Sequence, residues 1–217
     1  MENPIIPGLN IPVRTIYCVG RNFVDHAAEM KSPIPSEPII FLKPLSSICF
    51  NHDVVNIPSA SLNVHYEGEI VISIGKKGKN ILEHEAINYI GGIGCGIDFT
   101  ARDIQQKAKK QGLPWSISKG FENFAPISNF EPFNHSKLTE YQITLSVNKE
   151  VKQKGELRDL IFTIPYLVCY LSKINTLYPG DLIFTGTPKG VGQVKEDDKI
   201  TASIPQLDCS VSVSISS

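Results

Sequence analysis

The chain has 217 residues, of which 41% are hydrophobic and 20% charged, a composition that is typical of a globular protein and excludes fibrous and largely disordered classes. Its 21 basic and 22 acidic residues give a formal net charge of -1, so it lacks the positive field that attracts nucleic acid or anionic lipid, and neither is expected as a partner. Since no apolar run reaches the ~18 residues of a membrane span and the amino terminus has no secretion signal, we expect a cytoplasmic protein. The length favours one domain over residues 1–217.

Six short segments rich in Ile, Val, Phe and Thr predict strands. Each is bounded by Gly, Pro, Asn or Asp, which favour turns. The segments begin at residues 15, 37, 69, 141, 181 and 199 and read TIYCVG, EPIIFLKP, EIVISIG, YQITLSVN, DLIFTG and KITASI. Residues 129–140 and 148–159 are polar and are predicted as loops. The five scattered cysteines form no Cys-x-x-Cys pair, which indicates reduced thiols and no zinc site.

A short helix is predicted over residues 23–30, with Asn22 as its cap and Pro33 preventing its continuation. His26 and Glu29 lie at i and i+3, so their side chains can share a face and form a hydrogen bond. A carboxylate that orients a histidine raises its basicity, which suits removal of a proton from water. The alternative is an exposed surface pair without a catalytic role. We interpret the helix and the proline-rich loop after it as a mobile lid.

Two glutamates lie close together in the segment HYEGE, where alternation along a strand places His65, Glu67 and Glu69 on one face. Such a pair is tolerated when it is solvated, when it shares a proton, or when a cation lies between the two charges. Asp98 ends the glycine-rich passage GGIGCGID, where the backbone can approach a ligand closely. Three carboxylates without paired soft ligands favour Mg²⁺ or Mn²⁺ over zinc.

Less specific interpretations of these acids remain open. The glutamate pair is also compatible with a solvent-exposed strand face, and Asp98 with a helix cap. His65 could join the glutamates in an iron or zinc site, but without a second histidine at the right spacing we predict a supporting or structural role for it.

A second helix is predicted over ARDIQQKAKKQ, residues 101–111. Thr100 and Asp103 have the spacing of a capping box, and Gly112 followed by Pro114 is expected to end the helix.

A third segment, IFTIPYLVCYLSKIN, is uniformly apolar. It favours a buried helix that begins near Thr163, with Pro165 in the first turn. A buried pair of strands is the alternative.

Lys119 lies in the apolar stretch WSISKGF, where a lone amine is either a surface lysine or a buried cation beside acids. The neighbouring carboxylates make the second plausible. The later stretch PGDLIFTGTPKGVG lacks the Gly-Lys-Ser/Thr order of a phosphate loop, which excludes a nucleotide site. Its glycines predict a tight turn that leaves Thr187 and backbone amides free to bind a small anion.

Six blocks in this order resemble the fumarylacetoacetate hydrolase family, in particular its short single-domain acylpyruvase and oxaloacetate decarboxylase branch. They extend over residues 16–205 and read YCVGRNFVDHAAEM, SEPIIFLKP, HYEGEIVISIG, GCGIDFTARDIQ, KKQGLPWSISKGF and GDLIFTGTPKGVG. The resemblance implies a mixed α+β, β-rich domain, a mixed β-roll with a few short helices, that is usually a homodimer. Phe23 stands where many relatives have tyrosine, Gly120 replaces a common serine, and GELRDLIF departs from close relatives, which leaves the choice of substrate open.

The resemblance also implies roles for the candidate site residues. It implies Mg²⁺ or Mn²⁺ as the cofactor, with the metal ligands Glu67, Glu69 and Asp98. It implies that His26 and Glu29 activate water and that Lys119 stabilises developing negative charge. Candidates for holding the carboxylate or distal oxygens of the substrate are Arg21, Gln105 and Thr187.

Together these features predict a metal-dependent enzyme that acts on a small 2-oxo acid. We expect hydrolysis of the carbon-carbon bond of an acylpyruvate, decarboxylation of oxaloacetate, or both, through a pyruvate enolate that the metal stabilises. An isomerase or tautomerase of 2-hydroxymuconate-like diacids or oxaloacetate would use the same groups. Two further alternatives are a lyase that forms a Schiff base through Lys119 and a non-catalytic module that binds small acids.

Overall fold

The computed structural model describes residues 2–29, 33–134, 136, 138 and 140–217. Within them the helices are α1 (Val24–Glu29), α2 (Arg102–Gln111), α3 (Ser116–Lys119) and α4 (Ile164–Ile174), with 3₁₀ segments at Leu45–Ser47, Glu83–Tyr89 and Leu157–Asp159. The strands are β1 (Ile5–Ile6), β2 (Ile11–Pro12), β3 (Ile16–Gly20), β4 (Ile39–Lys43), β5 (Ile48–Cys49), β6 (Val54–Asn56), β7 (Val64–Tyr66), β8 (Gly68–Ile74), β9 (Ile90–Ile97), β10 (Thr100–Ala101), β11 (Ala125–Pro126), β12 (Glu131–Pro132), β13 (Gln142–Val147), β14 (Glu150–Glu156), β15 (Leu182–Phe184), β16 (Gly192–Gln193), β17 (Lys199–Ile204) and β18 (Cys209–Ser216).

Two sheets dominate the fold. The first has the strand order β12-β9-β8-β15-β3-β4, in which β15 runs parallel to β3 and the other neighbours are antiparallel. The second has the order β14-β13-β17-β18-β6, in which β18 and β6 are parallel. A third, small sheet has the order β10-β7-β16. Its strand β7, which contains His65, directly precedes β8 of the first sheet. This mixed, sheet-rich arrangement with few helices confirms the predicted α+β class.

The strand β8 is buried on both of its faces. Ile70, Ile72 and Ile74 pack into the main core with apolar residues of β13, β17 and β18, whereas Val71 packs into a second cluster that includes residues of β3 and β15. Each buried isoleucine contributes about 1.5–3 kcal/mol of hydrophobic stabilisation. Because side chains alternate along a strand, Glu69 lies on the same face as Val71. A charged residue is thereby placed in the interior at the start of a central strand.

All six predicted strand segments contain a strand, namely β3, β4, β8, β13, β15 and β17. The third apolar segment forms the helix α4, as predicted, with Thr163 as its cap accepting a hydrogen bond from Tyr166 N and with Pro165 in the first turn. Gly112 ends α2 in the left-handed conformation at φ 66°, also as predicted. In the described part of the chain, no helix combines the length and apolarity needed to span a bilayer.

The predicted cap at Asn22 is wrong. Its side-chain amide donates to the carbonyl oxygens of Phe162 and Thr185, and its oxygen accepts from Phe162 N at 2.7 Å. The side-chain oxygen of Asn22, which would have capped the helix, is therefore used in a hydrogen bond to a residue far away in the sequence. The helix α1 begins at Val24, and Met30, the last residue of the predicted helix, lies outside the described residues.

The predicted capping box at the start of α2 is also wrong. Thr100 Oγ1 donates to Asp98 O, and Asp103 accepts hydrogen bonds from Ser61 Oγ at 2.6 Å and Leu62 N at 2.9 Å. These bonds tie the first turn of α2 to the segment that precedes β7. The two residues stabilise tertiary structure, which their spacing in sequence does not reveal.

The prediction that residues 148–159 form a loop is wrong, because β14 occupies most of this segment. The strand is polar since it lies at the edge of its sheet, where most of its side chains face solvent. Asn148 and Lys149, both at positive φ, make the tight turn that joins it to β13. In the other predicted loop, residues 129–140, the short strand β12 is present, and residues 135, 137 and 139 lie outside the described part.

The glycine-rich passage before Asp98 forms β9, which we had not predicted as a strand. A Cβ atom at Gly94 would lie 2.7 Å from the ring of Phe130, and one at Gly96 would lie 2.7 Å from the ring of Phe184. The glycines leave room for aromatic rings that pack directly on the backbone. This strand delivers Asp98 to the site.

Candidate active site

The three predicted metal ligands lie together, which follows from the pairing of β8 with β9. Gly68 is opposite Ile97, and Glu69 is opposite Gly96, so the start of one strand meets the end of the other. Asp98 N donates to Glu67 O at 2.8 Å. One carboxylate oxygen of each acid lies within 4.8 Å of those of the other two. We call Glu67, Glu69 and Asp98 the carboxylate cluster; each of the three is at most 5% exposed.

Three buried cations accompany the carboxylate cluster. Lys119, the last residue of α3, places its Nζ 2.7 Å from Glu67 Oε2 and 2.5 Å from Asp98 Oδ2. Arg102, the first residue of α2, forms an ion pair with Glu67 Oε1. A buried acid without such partners would be neutral or strongly destabilising. The two cations therefore allow Glu67 to stay charged in the interior.

The third cation is Lys43, at the end of β4. Its Nζ donates to the carbonyl oxygens of Phe99 at 3.1 Å, Lys119 at 2.5 Å and Phe124 at 3.0 Å. It also lies 2.8 Å from Asp98 Oδ1. The ammonium group of Lys43 thus holds together the backbone segments that carry Asp98 and Lys119.

The acids of the cluster differ in proton affinity. Burial alone would raise the pKa of Glu67, but Lys119 and Arg102 outweigh it and hold that pKa well below its usual range. Burial, reinforced by the charges of Asp98 and Glu67, raises the pKa of Glu69 well above its usual range. Burial would lower the pKa of Lys119, yet Asp98 and Glu67 outweigh it and raise that pKa. Lys119 is accordingly a fixed cation, and Glu69 is the acid that most needs further positive charge.

The geometry fits a divalent cation. Asp98 Oδ1 is buried and accepts no hydrogen bond from the described residues, since the three protons of Lys43 Nζ are donated to carbonyl oxygens. Carboxylate oxygens are the donors that hard cations such as Mg²⁺ and Mn²⁺ prefer. Asp98 Oδ1 lies 2.8 Å from Lys43 Nζ but accepts no hydrogen bond from it, and the carboxylate of Glu69 is repelled by the other two acids. A cation would stabilise both groups. The carboxylate cluster could therefore hold a divalent ion.

His26 and Glu29 lie over this cluster on α1. His26 Nδ1 is 3.2 Å from Glu29 Oε2, and Glu29 Oε1 accepts from Gly190 N at 3.0 Å. His26 is 5% exposed and lines the same cleft as the cluster. Asp25, on the same helix, forms an ion pair with Lys189 at 2.8 Å. The helix is thus attached to the segment 189–190, and Glu29 orients the histidine from behind.

The carboxylate cluster lines a narrow cleft that opens to solvent. Eight of the nine predicted site residues line it, and Glu29 is the exception because it lies behind His26. All three residues predicted to hold substrate, Arg21, Gln105 and Thr187, are among the eight. Arg21 has a left-handed backbone at φ 57°, and its buried Nε has no hydrogen-bond partner among the described residues.

Thr187 also lines the cleft, but its hydroxyl is engaged within the protein. It donates to Gly68 O at 2.9 Å and accepts from Gln153 Nε2 at 2.8 Å. Because a hydroxyl has one proton, donation to a substrate would require the bond to Gly68 to break. In this geometry Thr187 fixes the backbone between Glu67 and Glu69.

His65 lies outside the carboxylate cluster. Its Nε2 bonds to Asn63 Oδ1 at 2.8 Å, and burial, reinforced by the charge of Arg102, lowers its pKa to about 4. The group of possible metal ligands in the described residues contains the three acids without it. The described residues therefore do not bring His65 together with the two glutamates as an iron or zinc site.

Several residues of the site were missed by sequence reasoning. Arg102 and Lys109 share the helix face of Gln105, at spacings of three and four residues, and this periodicity could have identified them. Lys43 offered a weaker signal, a single charge at the end of an apolar strand.

Comparison with known proteins places the chain among enzymes. Residues 15–213 match the family model described as fumarylacetoacetate (FAA) hydrolase C-terminal. The chain is 44% identical to the mitochondrial oxaloacetate tautomerase FAHD1 of Bos taurus, with 88% of this chain and 87% of that protein covered. It is 45% identical to the mitochondrial oxaloacetate decarboxylase of Dictyostelium discoideum, with 90% of each covered. Fumarylpyruvate hydrolase from Pseudomonas aeruginosa, solved with Mn²⁺ and pyruvate, superposes with a TM-score of 0.91 at 36% identity and covers 98% of this chain and 94% of that one.

Proposed function

Because the chain belongs to the fumarylacetoacetate hydrolase family, we propose that it is a Mg²⁺- or Mn²⁺-dependent enzyme that cleaves small 2-oxo acids at a carbon-carbon bond. The reactions are hydrolysis of acylpyruvates and decarboxylation of oxaloacetate. The observation that carries this proposal is the buried carboxylate cluster at the base of a cleft into which His26 projects. The similarity to a decarboxylase and a hydrolase supports both reactions.

The charges of the site support an anionic substrate. Formally, Lys43, Arg102 and Lys119 balance the three acids of the carboxylate cluster, and all six groups are buried. A divalent ion adds two positive charges. A substrate with two carboxylates balances the charge of the ion in a site where an unbalanced buried charge is costly, and Arg21 and Lys109 add further positive charge to the cleft.

The ion, when bound, supplies a Lewis acid toward the carbonyl of the substrate. The ammonium of Lys119, fixed between Glu67 and Asp98, stabilises negative charge that develops on the substrate. His26 Nε2 takes a proton from the attacking water, while Glu29 holds Nδ1 and stabilises the protonated ring. For an acylpyruvate, that water attacks the distal carbonyl and the products are pyruvate and a carboxylic acid. Decarboxylation needs no attacking water, so it depends less on His26.

A second candidate is tautomerisation of oxaloacetate or a related diacid. The His26–Glu29 pair can remove a proton from carbon and return it elsewhere without breaking a carbon-carbon bond. The 44% identity to an oxaloacetate tautomerase favours this reaction as well. Product identity separates the candidates.

The test is an assay of acetylpyruvate, fumarylpyruvate, oxaloacetate and a hydroxymuconate with Mg²⁺, with products identified by NMR. Cleavage yields pyruvate, whereas tautomerisation leaves the carbon skeleton intact and only speeds the approach to keto-enol equilibrium. EDTA should abolish activity and Mg²⁺ should restore it. Activity that persists in EDTA, with a lysine adduct trapped by borohydride, would instead establish a Schiff base on Lys119. Binding without turnover of any of these acids would indicate a non-catalytic module.

Three finer properties are also proposed. We propose Mg²⁺ or Mn²⁺ as the resident ion, to be tested by metal analysis of protein purified without added metal. We propose a homodimer of single catalytic domains, to be tested by light scattering. The cytoplasmic location stays a prediction, to be tested by cell fractionation.

A further inference from the structure

One wall of the cleft is a row of two aromatic rings with a lysine at each end. Lys119 Nζ lies 4.8 Å from the ring centroid of Phe41, whose ring is 5.8 Å from that of Trp115. Lys109 Nζ lies 5.0 Å from the ring centroid of Trp115. Since Lys119 is bonded to the carboxylate cluster, Lys109 marks the end of the row that is farther from the cluster.

Lys109 belongs to the same face of α2 as two residues deeper in the cleft. Arg102, Gln105 and Lys109 are spaced by three and four residues, and all three line the cleft. At 1.5 Å per residue, Lys109 lies roughly 10 Å along the helix axis from Arg102. The spacing suits a short molecule with an anionic group at each end.

Lys109 and Arg21 are cations without acidic partners. In the described part of the chain, no carboxylate lies within ion-pair distance of either one, and Arg21 Nε is buried without a hydrogen bond. Burial lowers the pKa of Lys109 to about 8, and Arg21 is the first charge that reinforces this shift. Arg21 and Lys109 therefore line one cleft as two cations that repel each other, and an anion bound between them would relieve that repulsion.

We propose that Lys109 and Arg21 form a subsite for the distal carboxylate of the substrate, so that the cleft selects 2-oxo acids with a second carboxylate over those that end in an apolar group. This inference rests on the proposed function and deepens it by naming the substrate class, a short dicarboxylate. The competing interpretation is that Lys109 only stacks on Trp115 and supports α2. That role predicts a change in stability without a change in selectivity.

The test measures binding by calorimetry to the Mg²⁺-loaded protein. The probes are 2-oxoglutarate, which has a distal carboxylate, and 2-oxobutyrate, which lacks it. Lys109→Met is expected to weaken 2-oxoglutarate about tenfold or more, equivalent to about 1.4 kcal/mol, and to leave 2-oxobutyrate within about twofold. Lys109→Arg, which keeps the charge, should stay within about threefold of the unchanged protein for both.

Two further variants sharpen the result. Arg21→Asn, a residue that tolerates the left-handed backbone, should give the same selective loss. Lys110→Met is the matched control, because Lys110 is the next residue of α2 and is exposed outside the cleft, and it should change neither constant. Equal loss for both probes in Lys109→Met, no loss for either, or no preference for 2-oxoglutarate in the unchanged protein would overturn the subsite.

The outcome is separable from that of the proposed function. If the unchanged protein turns over none of the 2-oxo acids, the proposed function fails, yet a selective loss of 2-oxoglutarate binding would still support the subsite. If turnover is observed while selectivity is unaltered in both variants, the subsite alone is wrong.

Discussion

Glu29→Gln is expected to suppress acylpyruvate hydrolysis far more than metal binding. Glu29 uses one oxygen for His26 Nδ1 at 3.2 Å and the other for Gly190 N at 3.0 Å. Glutamine keeps the shape but has one oxygen, so it can accept only one of the two bonds and has no charge with which to stabilise protonated His26. A charge-assisted hydrogen bond contributes about 1.5–3 kcal/mol, and 1.4 kcal/mol corresponds to a factor of ten, so kcat/KM should fall roughly 10- to 100-fold.

The assay compares two reactions and one binding constant. We expect the loss in acetylpyruvate hydrolysis, a much smaller loss in oxaloacetate decarboxylation, and a Mg²⁺ dissociation constant within about twofold of the unchanged protein. The control is Asp25→Asn on the same helix, which breaks an exposed ion pair with Lys189 and should change none of these values by more than about twofold. If hydrolysis, decarboxylation and Mg²⁺ binding all fall together in Glu29→Gln, the assignment of the pair as a water-activating base is wrong.

Three other predictions follow from the same geometry. Lys43→Met removes the donor to three carbonyl oxygens and the ionic partner of buried Asp98. The free energy of unfolding, measured by urea denaturation, should therefore fall by about 3 kcal/mol or more. An unchanged urea midpoint would contradict this. The pKa of Lys109 is lowered to about 8, so its positive charge is lost as pH rises through that value. The affinity for 2-oxoglutarate should therefore fall above pH 8 in the unchanged protein and change little with pH in Lys109→Arg. The same pH dependence of affinity in both proteins would show that another group titrates. Thr187→Val removes the hydroxyl that donates to Gly68 O and one of the two acceptors of Gln153 Nε2, which still donates to Pro188 O at 2.8 Å. Mg²⁺ affinity and thermal stability should therefore both decrease, by about 0.5–1.5 kcal/mol in stability, whereas loss of substrate affinity alone would indicate that Thr187 binds the substrate directly.

The sequence predicted features that depend on local chemistry. The strands followed from short apolar segments between turn formers, and α4 followed from Thr163 and Pro165 at its start. The spacing of Glu67, Glu69 and Asp98, together with the family resemblance, was enough to name the carboxylate cluster. These signals lie within a few residues of the groups that they describe.

What could not be predicted depends on contacts between distant residues. Asn22 bonds to Phe162, 140 positions away, and so does not cap its own helix. Arg102 and Glu67 are 35 positions apart, and Lys43 reaches Phe99 across 56 positions. The residues around Arg102 and Lys43 in the sequence form no pattern that predicts which carboxylate each cation binds. The strand β9 was missed because glycine disfavours strands, and the rings of Phe130 and Phe184 that pack on Gly94 and Gly96 belong to distant parts of the sequence.

Most side chains of this site lie on or directly beside the strands of the first sheet and on α2 and α3, whereas the proposed base lies on the short helix α1. The carboxylate cluster and its cations lie on or directly beside β8, β9, β4, α2 and α3, whereas the proposed base His26 lies on α1, a helix of six residues. Exchange of that short segment would alter the proton-transfer chemistry while leaving cation affinity untouched. A protein built in this way is a natural starting point for engineering, because hydrolysis, decarboxylation and tautomerisation could be interconverted by grafting a single peptide onto an unchanged metal-binding framework.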